Sequence, residues 1–93
     1  MELLREIAGL FLERYGGWLE ETRNAAARGD ALEVERTAHG LKGSVANFGA
    51  GRVVEAALRL EQSGRRRDLS EVAQVFNTLE LALAALRPEL ESL

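Results

Sequence analysis

Apolar positions recur along this chain with the three-to-four spacing of amphipathic helices, and no useful length alternates with period two, so the pattern predicts helix throughout and no strand. Leu3, Ile7, Leu10 and Phe11 form a first stripe, which Gly16-Gly17 interrupts; Trp18, Leu19, Thr22, Ala25 and Ala26 form a second, ending at Gly29. Two short helices are expected there, with Gly29 as a left-handed cap. Asp30 with Glu33, and Asp68 with Glu71, have the spacing of capping boxes and predict helix starts. A third helix should run from Asp30 to about Phe48 and stop at Gly49-Ala50-Gly51. A fourth should carry Val53, Ala57, Leu58, Leu60 and Glu61 to Ser63-Gly64, leaving Arg65-Arg66-Arg67 in a turn, where such a basic run is usually just solvated. In the last helix Val72, Phe76, Leu79, Leu83, Leu86, Leu90 and Leu93 form an a/d seam, with Pro88 breaking the ladder near its end. The predicted fold is all-α: an up-and-down antiparallel four-helix bundle with an additional short N-terminal helix, as a single domain over 1–93. Phe11, Trp18, Phe48 and Phe76 are assigned to its core.

Composition narrows the function classes. The 93 residues are 46% hydrophobic and 29% charged with a net charge of −3, a globular balance without the basic excess of a nucleic-acid binder. No run reaches the ~18 to 20 apolar residues of a membrane span, and the N-terminus lacks the form of a signal peptide, so a cytoplasmic protein without direct membrane contact is expected. Zero cysteines exclude disulfides, thiolate nucleophiles and Cys-ligated metals. Eleven of the twelve basic residues are Arg; the one Lys, Lys42, lies three positions after the one histidine, His39.

On a wheel at about 100° per residue, Val34, Ala38, Leu41, Val45 and Phe48 share the core direction, whereas His39 points about 140° away into solvent. Its outer-face neighbours are Glu35, Lys42, Gly43 and Ala46. Gly40 and Gly43 each cost about 0.5 to 1 kcal/mol in a helix interior, which suggests that something bulky approaches His39 along this face. A metal site lacks ligands, since Arg36 occupies the Glu-x-x-His position, and a hydrolytic triad fails because Ser44 is on the other flank. Neutral imidazole is a good nucleophile near pH 7 and can accept a phosphoryl group; Lys42 offers the compact charge to balance it.

Ala38-His39-Gly40-Leu41-Lys42-Gly43-Ser44, then Asn47-Phe48-Gly49-Ala50, then Leu60-Glu61, resemble the signature of the histidine-containing phosphotransfer (HPt) domains of bacterial two-component phosphorelays. The resemblance implies a phosphoryl carrier without turnover of its own. His39 would exchange the group with receiver-domain aspartates, Lys42 would neutralise phosphate oxygens and Gly43 would leave space. Glu61, with Gln62 as its competitor, would orient the imidazole. Leu32, Glu35, Arg36, Gly40 and Ala46 would form the docking patch. Expected partners are response-regulator receiver domains and a hybrid sensor histidine kinase. No cofactor is expected on this chain, Mg²⁺ coming from the receiver, and the chain should be a monomer. A non-phosphorylated helical adaptor, or a dimerisation module using the Val72 to Leu93 seam, are the alternative classes.

Overall fold

The computed structural model describes the backbone of residues 2–48 and 50–93, and the side chains of these except Glu2 and Asn47. Its elements are α1 (Glu2–Ala27), α2 (Ala31–Val45), a 3₁₀ turn (Ala46–Phe48), α3 (Gly51–Arg65) and α4 (Val72–Glu91), with no strand among the described residues.

Contacts between the helices fix their directions. Along α1 and α4, Arg5 meets Leu93, Tyr15 meets Arg87 and Arg23 meets Glu80, so one number rises as the other falls. Thr22 pairs with Thr37 and Phe11 with Phe48, which sets α1 against α2 in the same sense. Glu35 meets Arg65, and His39 meets Glu61, between α2 and α3. With α3 also packed on α4, the four helices close an antiparallel ring, about 40 Å long and 16 to 17 Å across. The interior is Val34, Val45, Val53, Leu60 and Leu79, each essentially sealed from solvent, with Phe11, Leu41, Phe76, Leu83, Leu86 and Leu90 around them. Burial of this apolar surface drives the fold. Thr22 and Thr37, both buried, bond to one another and to the Trp18 and Glu33 carbonyls, so the α1–α2 seam carries a satisfied polar link.

The N-terminal expectation is corrected: α1 runs through Gly16 and Gly17 as one helix of 26 residues, and among the described residues no separate short helix precedes it. Both glycines lie on the exposed side, while Ala8, Phe11, Tyr15, Trp18 and Leu19 form a continuous stripe against the core. Packing along this stripe outweighs a cost of about 1 kcal/mol per glycine. Phe11, Tyr15, Trp18 and Phe48 make one aromatic cluster; Phe11 and Phe76 are buried, whereas Trp18 and Phe48 are half-buried against the core.

At the end of α1 the Asp30 N–H bonds to the Ala25 carbonyl and the Gly29 N–H to that of Ala26, with Gly29 at φ 71°, which is a Schellman cap. Asp30 then caps α2 by accepting from the Glu33 N–H at 3.1 Å. Asp68 does not cap α4. Its carboxylate is spent on the Ser70 N–H and hydroxyl, and the helix begins later, at Val72, with no side-chain cap. Ser63 and Gly64, expected at the end of this helix, are buried residues in the last turn of α3, which runs one residue further, to Arg65. Of the Gly49-Ala50-Gly51 stop, Gly49 lies outside the described residues, Ala50 is the cap position and Gly51 opens α3. Pro88 does not end α4, which continues to Glu91; a proline there forfeits one ladder bond within the final turns.

Gly64 sets the spacing of the two helices that matter most below. A Cβ at this position would come within 2.6 Å of the Ala31 carbonyl oxygen and 2.7 Å of the Glu35 nitrogen, both backbone atoms of α2. Only glycine permits so close an approach.

Candidate functional site

The solvent-facing flank of α2 and the adjoining edge of α3 meet in a cluster of charge. Val34, Ala38, Leu41 and Val45 are buried on the inner side of α2, which leaves the side chain of His39 68% exposed. Glu61 is on the opposing helix, and its side chain, 3% exposed, is an ionisable group almost withdrawn from water. Such a group needs partners, and it has three. His39 Nδ1 lies 2.7 Å from Oε2, Lys42 Nζ donates to Oε1 at 2.5 Å, and Arg65 Nη2 donates to Oε2 at 3.3 Å. No buried polar side-chain atom among the described residues is left unsatisfied.

These contacts assign the imidazole tautomer. An ionised carboxylate only accepts, so Nδ1 carries a proton, and in the neutral ring the lone pair is then on Nε2. The hydrogen bond from Lys42 does most to hold the Glu61 carboxyl below its ordinary value; burial pushes the other way, and the bond from His39 adds to the lowering. Glu61 is therefore a carboxylate at neutral pH, and the acceptor that the Nδ1–H requires.

Lys42 is not the open surface cation that its place on the helix wheel suggests. Its ammonium is drawn to Glu61, and the side chain is only 28% exposed. Gln62, the competing candidate, is exposed, and the carboxylate of Glu61 is the group that meets the ring. Gly40 and Gly43 are exposed, and a Cβ at either would meet nothing within 4 Å. The fold itself does not require glycine at these two positions, in contrast to Gly64. Open space alone does not mark a site, since Gly9, Gly16 and Gly17 share it; what distinguishes Gly40 and Gly43 is that both lie within about one turn of His39.

Leu32, Glu35 and Arg36 line one shallow depression with His39, Glu61 and Arg65, and the exposed Ala46 opens the 3₁₀ turn that follows α2 beyond Gly43. Leu32 is 55% exposed. Glu35 is paired with Arg65, whose Nε donates to it at 3.1 Å. Ser44 donates to the Gly40 carbonyl at 3.0 Å and lines a different hollow, with Phe11 and Arg14, so it takes no part in the cluster. Among the described residues no three His, Asp or Glu side chains are gathered to hold a metal ion.

Sequence reasoning missed Arg65. It grouped this residue with Arg66 and Arg67 in a solvated turn, whereas α3 extends through it and points it back at the site. The available signal was the i,i+4 spacing of Glu61 and Arg65, legible only if the helix is carried past Ser63-Gly64.

A helical bundle that presents one oriented histidine on its flank is the class these features define. A family model for the Hpt domain matches residues 6–89, and the chain belongs to that family. Hpt domains are phosphocarriers in two-component phosphorelays, working with receiver domains and kinases. Searches of curated proteins and of solved structures gave no match. No helix among the described residues is long and apolar enough to cross a membrane.

Proposed function

We propose that this chain accepts a phosphoryl group on Nε2 of His39 from the aspartyl phosphate of a receiver domain and passes it to the aspartate of another. The observation that carries this reading is the bond between His39 Nδ1 and the buried Glu61 carboxylate. The Nε2 lone pair attacks phosphorus, an N–P bond forms, and the P–O bond to the receiver aspartate breaks, its electron pair leaving on the carboxylate. No proton has to move. The ring keeps its Nδ1–H and becomes cationic, and Glu61, already hydrogen-bonded to that proton, stabilises the developing charge where it appears. The same cationic ring is a good leaving group, so the step reverses toward a second receiver.

Gly43 leaves room for the phosphoryl oxygens, and Lys42 is within one turn to meet them. Phosphoryl transfer depends mainly on alignment and charge stabilisation. Mg²⁺ held by the receiver would supply the remaining neutralisation of the phosphoryl and leaving oxygens. Leu32, Arg36, Gly40 and Ala46 form the surface against which a receiver docks, with a hybrid sensor kinase as the upstream source. The carrier has no turnover of its own, acts in the cytoplasm as one domain, and is monomeric.

The test is transfer from a ³²P-labelled receiver. Label should appear on the wild type, survive alkali, be lost in acid, and be absent from His39→Gln; label on that variant would refute the assignment. Gly43→Val should fold normally and take up label at least tenfold more slowly, by occupying the phosphoryl space; an unchanged rate would remove Gly43 from the mechanism.

A further inference from the structure

We propose that Arg65 is a positioning residue of this site, a second counter-ion that keeps Glu61 charged and in place when Lys42 turns from Glu61 to the phosphoryl group. The proposal rests on the phosphocarrier reading above. Lys42 is committed to Glu61 before any phosphoryl group arrives, with Nζ 2.5 Å from Oε1. To neutralise phosphoryl oxygens on Nε2 it must loosen that bond. Glu61 is 3% exposed, so water does not replace the ammonium, and a buried carboxylate stripped of its cation is strongly disfavoured. Until the His39 ring has itself become cationic, Lys42 is pinned unless a substitute cation holds Glu61.

Arg65 is built to be that substitute. It follows Glu61 by one turn on α3, and its Nη2 already donates to Glu61 Oε2 at 3.3 Å, the oxygen that also accepts from His39. Its Nε donates at 3.1 Å to Glu35, which stands one turn before His39 on α2. The guanidinium fork therefore spans both helices of the site, its orientation set at one edge by Glu35 and its charge delivered at the other to Glu61. An arginine suits this task because its planar donors serve two carboxylates at once and it stays cationic at any working pH. The charges agree: Glu35 and Glu61 balance Lys42 and Arg65 around the His39 ring. When a phosphoryl group adds negative charge, Lys42 can follow it while Glu61 keeps Arg65. Because the arginine side chain is 64% exposed, solvent screens part of its effect, and a moderate change is expected on removing it.

The experiment measures the equilibrium of label between a phosphorylated receiver and this chain for wild type, Arg65→Ala, Lys42→Ala and the double variant, with thermal melts to confirm folding. Arg65→Ala should shift the equilibrium away from the carrier by about three- to tenfold. If Arg65 acts by releasing Lys42, the double variant should match Lys42→Ala within about twofold, and Arg65→Lys should recover part of the loss. Multiplying effects of the two single variants would mean that Arg65 reaches the phosphoryl group independently, and would overturn the proposal. An equilibrium unchanged in Arg65→Ala would overturn it too while leaving the carrier reading intact, since wild type would still be labelled and His39→Gln would not. Absence of label on the wild type would overturn both.

Discussion

Glu61 concentrates the physical chemistry of this molecule in one carboxylate. Its pKa is lowered from 4.5 chiefly by the Lys42 hydrogen bond, so its charged form is favoured in the folded state relative to the unfolded chain. The sign follows from linkage: the stabilisation is complete above about pH 4.5 and is lost as pH falls through the lower folded-state value. Glu61→Gln should therefore be less stable than wild type at neutral pH, with the difference closing below about pH 4.5; urea midpoints measured across that range check it, and a gap constant with pH would contradict it. The same substitution should slow phosphoryl uptake, because a neutral amide stabilises the cationic ring less well than a carboxylate. The exposure of His39, Gly40 and Gly43 was readable from helical periodicity alone. That Glu61 rather than Gln62 meets the ring was not, because it depends on the rotation of α3 against α2, and adjacent residues differ by about 100° on that helix.

Between elements, the α2–α3 contact decides how well the cluster is assembled. Gly64→Ala would drive a methyl into the α2 backbone at Ala31 and Glu35. Backbone cannot rotate aside, so the helices must part, at a cost of about 1 to 3 kcal/mol, and Arg65 would be carried away from Glu35. A lowered melting temperature should therefore appear together with weakened phosphoryl acceptance; a variant as stable as wild type would show that the helices separate at no cost. The end of α3 offers the opposite opportunity. Asp68 N–H bonds to the Ser63 carbonyl and Arg67 N–H to that of Gly64, so Arg67, at φ 55°, fills the left-handed position of a Schellman cap that glycine prefers. Arg67→Gly should raise stability by about 0.5 to 1 kcal/mol, and denaturant titration would expose the error if it fell. At this scale the sequence misled wherever glycine was taken as punctuation. Gly29 does end a helix and Gly64 lies one residue before the end of α3, but Gly16 and Gly17 lie inside α1, because burial of the flanking apolar residues dominates their propensity. Asp68 misled for a related reason: a short polar side chain beside a turn can bond to the turn as readily as to a helix start.

For the whole molecule, the antiparallel ring accounts for the α4 seam. Val72, Phe76, Leu79, Leu83, Leu86 and Leu90 are buried in the shared core, and only Leu93 of the seven is exposed. A coiled-coil partner would have to compete with the chain's own core, so sedimentation should give a monomer mass at micromolar concentration; a dimer abolished by substitutions on the outer face of α4 would reverse this. The bundle topology was legible because successive amphipathic stripes joined by short turns leave few other ways to bury every apolar face. The same ring brings α1 and α4 together at one end, where Arg5 Nε donates to the Leu93 carbonyl at 2.9 Å. His39, level with the Thr22–Thr37 pair, is about 20 Å farther along the bundle. Both chain ends can thus be tethered, labelled or joined by a short linker at a single pole without obstructing the histidine flank. With both described ends at one pole, a tag or a short linker joined there should leave the rate of label exchange unchanged.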